Sequence, residues 1–408
     1  MDKKRGFDHT FGMCSINLGI VGLWPNSKNT KFQEFRSNVS FVFAIFSVSV
    51  FISMSQTAKL IMIWGDLYQM IENISTANLP ITVTVFKMLI FRSHKKVLGE
   101  LLALAIGDWC TKKTEEETAN MCANARLAHR ISMICVFLAG GTVSIHAVLR
   151  TCQELDIMPG PPEKRLPLFS SSYVPYDYKS SPIYQVTWLM QLTGTSCATL
   201  VFSGVYCAFV GMVLHLRGQV ANLRLKLENI CEIREKGEGL VEARRDFRKK
   251  LGFIVERHLV LNRFAADLET VFTLMFLAEL LSCTIQICLQ VFLLVTLLSN
   301  IKHGFPILEL FFLMVYIMHV GTHVFICCFV ADKLREESLL ICNSVYNYQW
   351  YKLSAQDAKM LIFVMHRGDR PLAMTAGKFC AFSLQLYAQI LKTSGGYLSM
   401  LLALKDQS

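Results

Sequence analysis

Seven separate runs of apolar residues constrain this chain more than any other feature of its sequence. A bilayer core of ~30 Å is crossed by about 20 helical residues at ~1.5 Å rise each. Runs near or above that length occur at 39–64, 71–91, 131–149, 183–213, 271–298, 305–330 and 379–404. They predict an all-α membrane protein of seven transmembrane helices. Composition agrees, with 53% hydrophobic and only 18% charged residues and a mean hydropathy of +0.39. The second run is the weakest, because Glu72, Pro80 and Lys87 dilute it. The start, Met1 to His9, has basic residues but no short apolar core with a small-residue cleavage site behind it. The first span is therefore expected to direct insertion.

Orientation follows from the loops. With the N-terminus inside, the inner segments carry 31 Lys and Arg and the outer ones 6, which predicts a cytosolic N-terminus and an extracellular C-terminus. The net charge of +10 is thereby explained, and no nucleic-acid role is implied. Of the 14 Cys, this topology puts only Cys152 outside, so no external disulfide within the chain is expected. The predicted organisation is a cytosolic segment at 1–38 and a six-span bundle at 39–330. A cytosolic segment at 331–378 and the last span with the C-terminus at 379–408 complete it. Apolar residues spaced three or four apart continue past the fourth span and lead into the fifth, predicting a cytosolic helical extension at about 214–270. Its turn is expected near 236–239. Ser354 followed by Asp357 is a capping-box variant that predicts a short helix before Gly368 and Pro371.

The last run separates into two faces. Gln385, Gln389, Thr393, Gly396, Tyr397, Met400 and Leu404 share one, with Lys392 at its edge, and Leu384, Tyr387, Leu391, Leu398, Leu401 and Leu402 share the other. Polar groups at membrane depth require protein or water. The first face therefore predicts either the wall of a pore, with Gln389, Thr393 and Tyr397 leading toward the C-terminus to an apolar gate at Met400 and Leu404, or packing against a neighbouring helix.

Elsewhere the chain offers aromatic and polar groups assigned to the outer halves of four spans, Phe86, His146, Trp188, Phe312 and Tyr316. They suit a pocket for a small, volatile, mostly apolar ligand. Ordinary bundle packing is the alternative for each. His319 and His323 lie four apart, but no Glu or Cys accompanies them as a third ligand, so interhelical hydrogen bonding is the expectation. Glu279 is expected to pair with a basic residue at the inner interface. Asn73-Ile-Ser75 is a glycosylation pattern that falls outside. Phosphate-loop, nucleophile-elbow and zinc-protease motifs are missing, so neither an enzyme nor a cofactor is implied.

The ending Phe382-Ser-Leu-Gln-Leu-Tyr-Ala-Gln-Ile-Leu-Lys-Thr-Ser-Gly-Gly-Tyr-Leu-Ser-Met-Leu401, with Tyr346 to Tyr351 and Arg370-Pro-Leu372 upstream, resembles the C-terminal signature of insect odorant receptors. The resemblance implies a ligand-gated, non-selective cation channel in the plasma membrane of olfactory sensory neurons. Four subunits would surround one pore lined by the last span, tuning subunits assembling with a common co-receptor subunit of the same family. The gate positions would fall on Met400 and Leu404. This chain departs from the pattern at Gly395-Gly396 and at Lys392. Its short segment between spans four and five implies a tuning receptor, whose partners would be the co-receptor, a small volatile ligand and membrane lipid. The alternative, a seven-span G-protein-coupled-type chemoreceptor, needs its N-terminus outside and an acid-Arg-aromatic motif where this chain reads Ala128-His-Arg130-Ile.

Overall fold

A chain crossing lipid must satisfy its backbone hydrogen bonds internally, and each predicted span forms a helix. The computed structural model describes residues 3–25, 30–154, 168–170, 172–178, 180–230, 240–299 and 307–407, and within these not the side chains of 3–5, 152–154, 240, 241, 243, 352 or 400–407. The predicted turn at 236–239 and Cys152's side chain lie outside the described residues. In order, the helices are α1 (Lys3–Ile20), α2 (Lys31–Met62), α3 (Leu67–Ser93), α4 (Lys95–Cys110) and α5 (Glu115–Glu154). They continue as α6 (Ile183–Asn229), α7 (Leu240–Ser299), α8 (Ile307–Tyr346), α9 (Ala355–Gly368) and α10 (Leu384–Gln407). Among the described residues six helices, α2, α3 and α5 to α8, are long and apolar enough to cross a membrane. The polar residues of α10 keep it out of that set, although 24 residues reach about 36 Å.

The core is built around α6. Its stretch Val205 to Leu216 is buried on every side, as an apolar-all-round helix should be. One of its partners is α1, whose Phe11, Cys14 and Leu18 are fully enclosed. Asn17 Nδ2 donates to Ser203 Oγ at 3.0 Å across that contact. A side chain at Gly204 would meet Leu18 at 2.8 Å, so the close approach depends on glycine there. At the turn into α2, Gly22 has φ +73, and any Cβ would run into the Ser37 carbonyl oxygen.

The cytosolic extensions predicted for spans four and five are continuous with them. At ~1.5 Å per residue, α6 with 47 residues and α7 with 60 are about 70 and 90 Å long. Their far ends, with α4, the end of α8 and α9, form a polar anchor. The predicted cap at Ser354 is present, its hydroxyl accepting from Asp357 N. Buried Asp357 accepts from Arg244 and Arg248 of α7, both at 2.9 Å. Burial pushes its carboxyl up, but the Ser354 hydroxyl and the two guanidiniums outweigh this and hold it below its ordinary value. Asp108 of α4 is raised by burial and lowered more by His215 of α6 at 3.1 Å and Arg257 of α7 at 2.5 Å. Glu337 of α8 takes Arg217 at 3.4 Å and Arg224 at 3.1 Å from α6.

Replacing Asp357 with Asn is therefore expected to destabilise the anchor by about 1–2 kcal/mol, below the cost for a fully buried pair because both arginines are half exposed. A carboxyl held low stabilises fully above its ordinary pKa and loses that contribution as pH falls through the lower folded value. Thermal unfolding of the detergent-solubilised protein should give a lower midpoint for the variant at neutral pH, the gap closing only in acid.

The last helix does not begin where the apolar run does. Thr375–Ala376 (β1) and Cys380–Ala381 (β2) pair antiparallel around Gly377 and Lys378, which have φ 61 and 63. Two left-handed residues in a row make the tight hairpin turn that matches strand twist. Gly377 N donates to Thr273 O at 2.9 Å and Thr375 N to Glu269 Oε2 at 3.0 Å, strapping the hairpin to α7. The helix expected from Phe379 starts at Leu384, behind Ser383, whose hydroxyl accepts from Leu386 N at 3.1 Å. Local hydrogen bonds override hydropathy there.

Candidate functional site

At the end of the bundle away from the anchor, α2, α3, α5, α6 and α8 enclose a cavity of about 120 Å³. Both helices that enter it from the N-terminal side are locally widened. Ser47–Met54 of α2 and Ile74–Asn78 of α3 are π-helical turns, and Ile52, Thr76 and Ala77 from them reach the cavity wall. Such turns recur at functional sites.

Three of the five aromatic and polar positions singled out in the sequence meet here: His146, Phe312 and Tyr316 line the cavity. The His146 and Phe312 rings are 5.3 Å apart, and Phe312 and Tyr316 5.9 Å. Tyr316 OH donates to Gln286 Oε1 at 3.0 Å and the Ser75 carbonyl at 3.2 Å, tying α8 to α7 and α3. Trp188 stands behind the wall, edge-on to Phe169 at 5.6 Å. Phe86 lies on α3 roughly one and a half turns beyond the lining residue Ile81 and is not in the wall.

Sequence reasoning missed what closes the cavity. Within the Pro-rich segment, Leu168, Phe169 and Ser170 fold inward and are buried. His146 Nε2 donates to the Phe169 carbonyl at 2.9 Å, Ser170 N donates to Gln191 Oε1 at 3.1 Å, and Gln56 Nε2 donates to Ser170 Oγ at 2.6 Å. A glutamine in the middle of the first apolar run was the available signal. Asn73 and Ser75 are 4% and 0% exposed, so the predicted glycosylation tripeptide is closed off inside α3.

Deeper in the bundle is a second polar centre. Lys87 of α3 and Glu279 of α7 are 2.6 Å apart with side chains 0% and 5% exposed. Glu279 does pair with a base, but within the bundle and not at its interface. Tyr206 OH donates to Glu279 Oε1 at 2.8 Å, and the Lys87 ammonium lies 4.3 Å from the Phe202 ring centroid. His319 stacks on Phe202 and His323 lies tilted against it, the His323 Nδ1 facing the His319 carbonyl at 2.8 Å along their own helix.

Helix α10 packs on α7 and α8 through Tyr387, Ile390, Ser394 and Leu398. Leu384 and Leu391, expected on the packed face, are 40% and 43% exposed. That face is turned by roughly 40° from the leucine stripe, at about 100° per residue. Gln385, Gln389, Lys392, Thr393, Gly396 and Tyr397 are exposed. The polar face thus finds no neighbour within the chain among the described residues. The side chains of Met400 and Leu404 lie outside the described residues.

Comparison with known proteins places this architecture. The chain is 24% identical over 412 residues to Odorant receptor 22c of Drosophila melanogaster, covering 97% of this chain and 96% of that one. It is 23% identical to the Odorant receptor coreceptor of Aedes aegypti over 39% of this chain and 32% of that protein. Its fold matches the insect olfactory receptor OR5 from Machilis hrabei in complex with eugenol, with TM-score 0.81 at 14% identity, over 98% of this chain and 99% of that one. The family model described as 7tm Odorant receptor matches residues 66–395, and the chain belongs to that family.

Proposed function

We propose that this protein is the odorant-binding, tuning subunit of a heteromeric ligand-gated cation channel, its ligand site the cavity walled by His146, Phe312 and Tyr316. The observation that carries the channel reading is α10. Its row of amide, amine and hydroxyl groups faces outward, and on a helix that crosses the bilayer lipid does not tolerate such a row. In an assembly of subunits the same face borders water. Gln389, Thr393 and Tyr397 then wall the pore, and Met400 and Leu404 form its gate.

The charge bias of 31 basic residues to 6 supports a cytosolic anchor and a cavity in the outer half. Exposed Phe43, Phe46, Phe137 and Leu281 then face lipid. Similarity to a co-receptor, and the short connection between α6 and α7, support a division of labour between subunits.

Expressed with an insect odorant co-receptor, the chain should give currents evoked by volatile ligands, and expressed alone it should give none. Ligand-evoked current from this chain alone, or an N-terminal epitope stained on intact cells, would overturn the reading.

A further inference from the structure

Two hydrogen-bond acceptors in the cavity wall are left without a partner among the described residues. Thr76 and Thr142 donate their hydroxyl protons to carbonyls one turn back, Glu72 O at 2.6 Å and Leu138 O at 2.7 Å. Tyr316 donates its proton to Gln286 and Ser75. Gln56, 2% exposed, donates its amide to Ser170 and keeps Oε1 buried without a partner. His146 Nε2 faces a carbonyl, which only accepts, so that nitrogen carries the proton. Among the described residues no carboxylate partners the ring, and a buried imidazole without one holds a single proton. Its Nδ1 is therefore a lone-pair acceptor, also buried and unpartnered. The carboxylate in the same wall, Glu72, lies 3.9 Å from Arg150.

Gln56 and His146 come from different helices and line one cavity, and the open atom of each accepts. Leaving a buried acceptor unpaired costs about 1–3 kcal/mol. A ligand bearing a donor removes that cost. A charged amine would have to leave water beside the Arg150 guanidinium in the same wall, whereas a neutral hydroxyl donates to the open acceptors and its oxygen can still accept from such a donor. The volume of about 120 Å³ is close to the ~150 Å³ that takes up benzene in an engineered cavity, so a single ring or short chain fits.

We propose that the cavity selects small alcohols and phenols, whose O–H donates to Gln56 Oε1 or His146 Nδ1, over ethers and ketones of the same carbon skeleton. This rests on the cavity being the ligand site. The probes are p-cresol and benzyl alcohol, each against its methyl ether, applied to the receptor co-expressed with its co-receptor and, as a thermal shift, to the purified complex. Each hydroxyl compound is expected to act at concentrations about tenfold or more below its ether, the discrimination one such hydrogen bond supplies. Gln56→Leu and His146→Phe should each draw the ratio toward one without weakening the ether.

Phe312→Ala separates the two levels of inference, since it should shift both members of a pair alike. If it does so while alcohols and ethers act equally, or while the ratio survives both acceptor substitutions, the hydroxyl preference is wrong and the site stands. Should Phe312→Ala leave every probe unaffected at normal surface expression, the site itself is wrong and the preference falls with it. Absence of any thermal shift with either hydroxyl compound at millimolar concentration also overturns the preference. The comparison of ligand pairs is made on the unaltered protein and does not depend on how a variant folds.

Discussion

Lys87→Met with Glu279 left intact is expected to remove most of the protein from the cell surface. The Glu279 carboxylate would then sit 4% exposed with the Tyr206 hydroxyl and the Cys283 thiol as its hydrogen-bond donors and no compensating cation. Breaking a buried pair by deleting one partner costs about 3–5 kcal/mol, a large fraction of a typical stability of 5–15 kcal/mol. The ammonium also loses its seat between the Phe202 and Tyr206 rings, at 4.3 and 4.7 Å.

Neutralising both members has a different outcome. In Lys87→Met with Glu279→Gln, the amide oxygen still accepts from Tyr206 and no charge is left uncompensated, so surface expression should recover substantially. Surface biotinylation and size-exclusion profiles of the single and double variants measure this directly. Equal, near-normal surface levels for Lys87→Met alone would show that the pair is not what holds α3 against α7.

That pair also indicates where the sequence was readable. Lys87 taken by itself weakens the second apolar run, and the partner expected for Glu279 at the inner interface is found deeper, within the bundle. Considered together, an isolated base and an isolated acid in two spans are strong candidates for each other, because neither is tolerated alone in lipid. The six long spans, the extensions of α6 and α7 and the Ser354 cap were legible because each rests on local periodicity or on a cap. The stripe Phe7, Phe11, Cys14 and Leu18 is equally periodic and marks α1 as a packed helix, although the segment is too short and too polar to read as a span.

Other features were not local at all. Phe169 and Ser170 close the cavity through contacts to residues 20 or more positions away, His146, Gln191 and Gln56, which no window over the Pro-rich segment contains. The hairpin that delays α10 to Leu384 depends on Glu269 and Thr273 of α7. The aromatic character of Phe86 suits the pocket, but its depth along α3 keeps it out of the cavity wall. The two-faced pattern of α10 was legible, but the face that packs could be fixed only by the neighbours, which favour Ile390 and Ser394 over Leu384 and Leu391.

Met400→Ser or Leu404→Ser is expected to raise resting current several-fold or to change relative ion permeability, with surface expression near normal. On a helix with 100° between residues, both positions fall on the face of Gln389, Thr393 and Gly396, which the chain leaves exposed. If that face borders the pore, its two apolar residues form a dry constriction. A hydroxyl there lets water, and ions with it, persist without ligand. Ile390→Ser is the contrast. Ile390 is 7% exposed and packed into the bundle, so its loss should reduce surface expression and leave permeability ratios alone. Cysteines at 389 and 393 should react with small thiol reagents, faster with ligand present than without. If both stay unreactive while evoked currents are intact, or if the two gate variants alter expression and never permeation, the polar face of α10 meets protein in the assembly and the pore runs elsewhere.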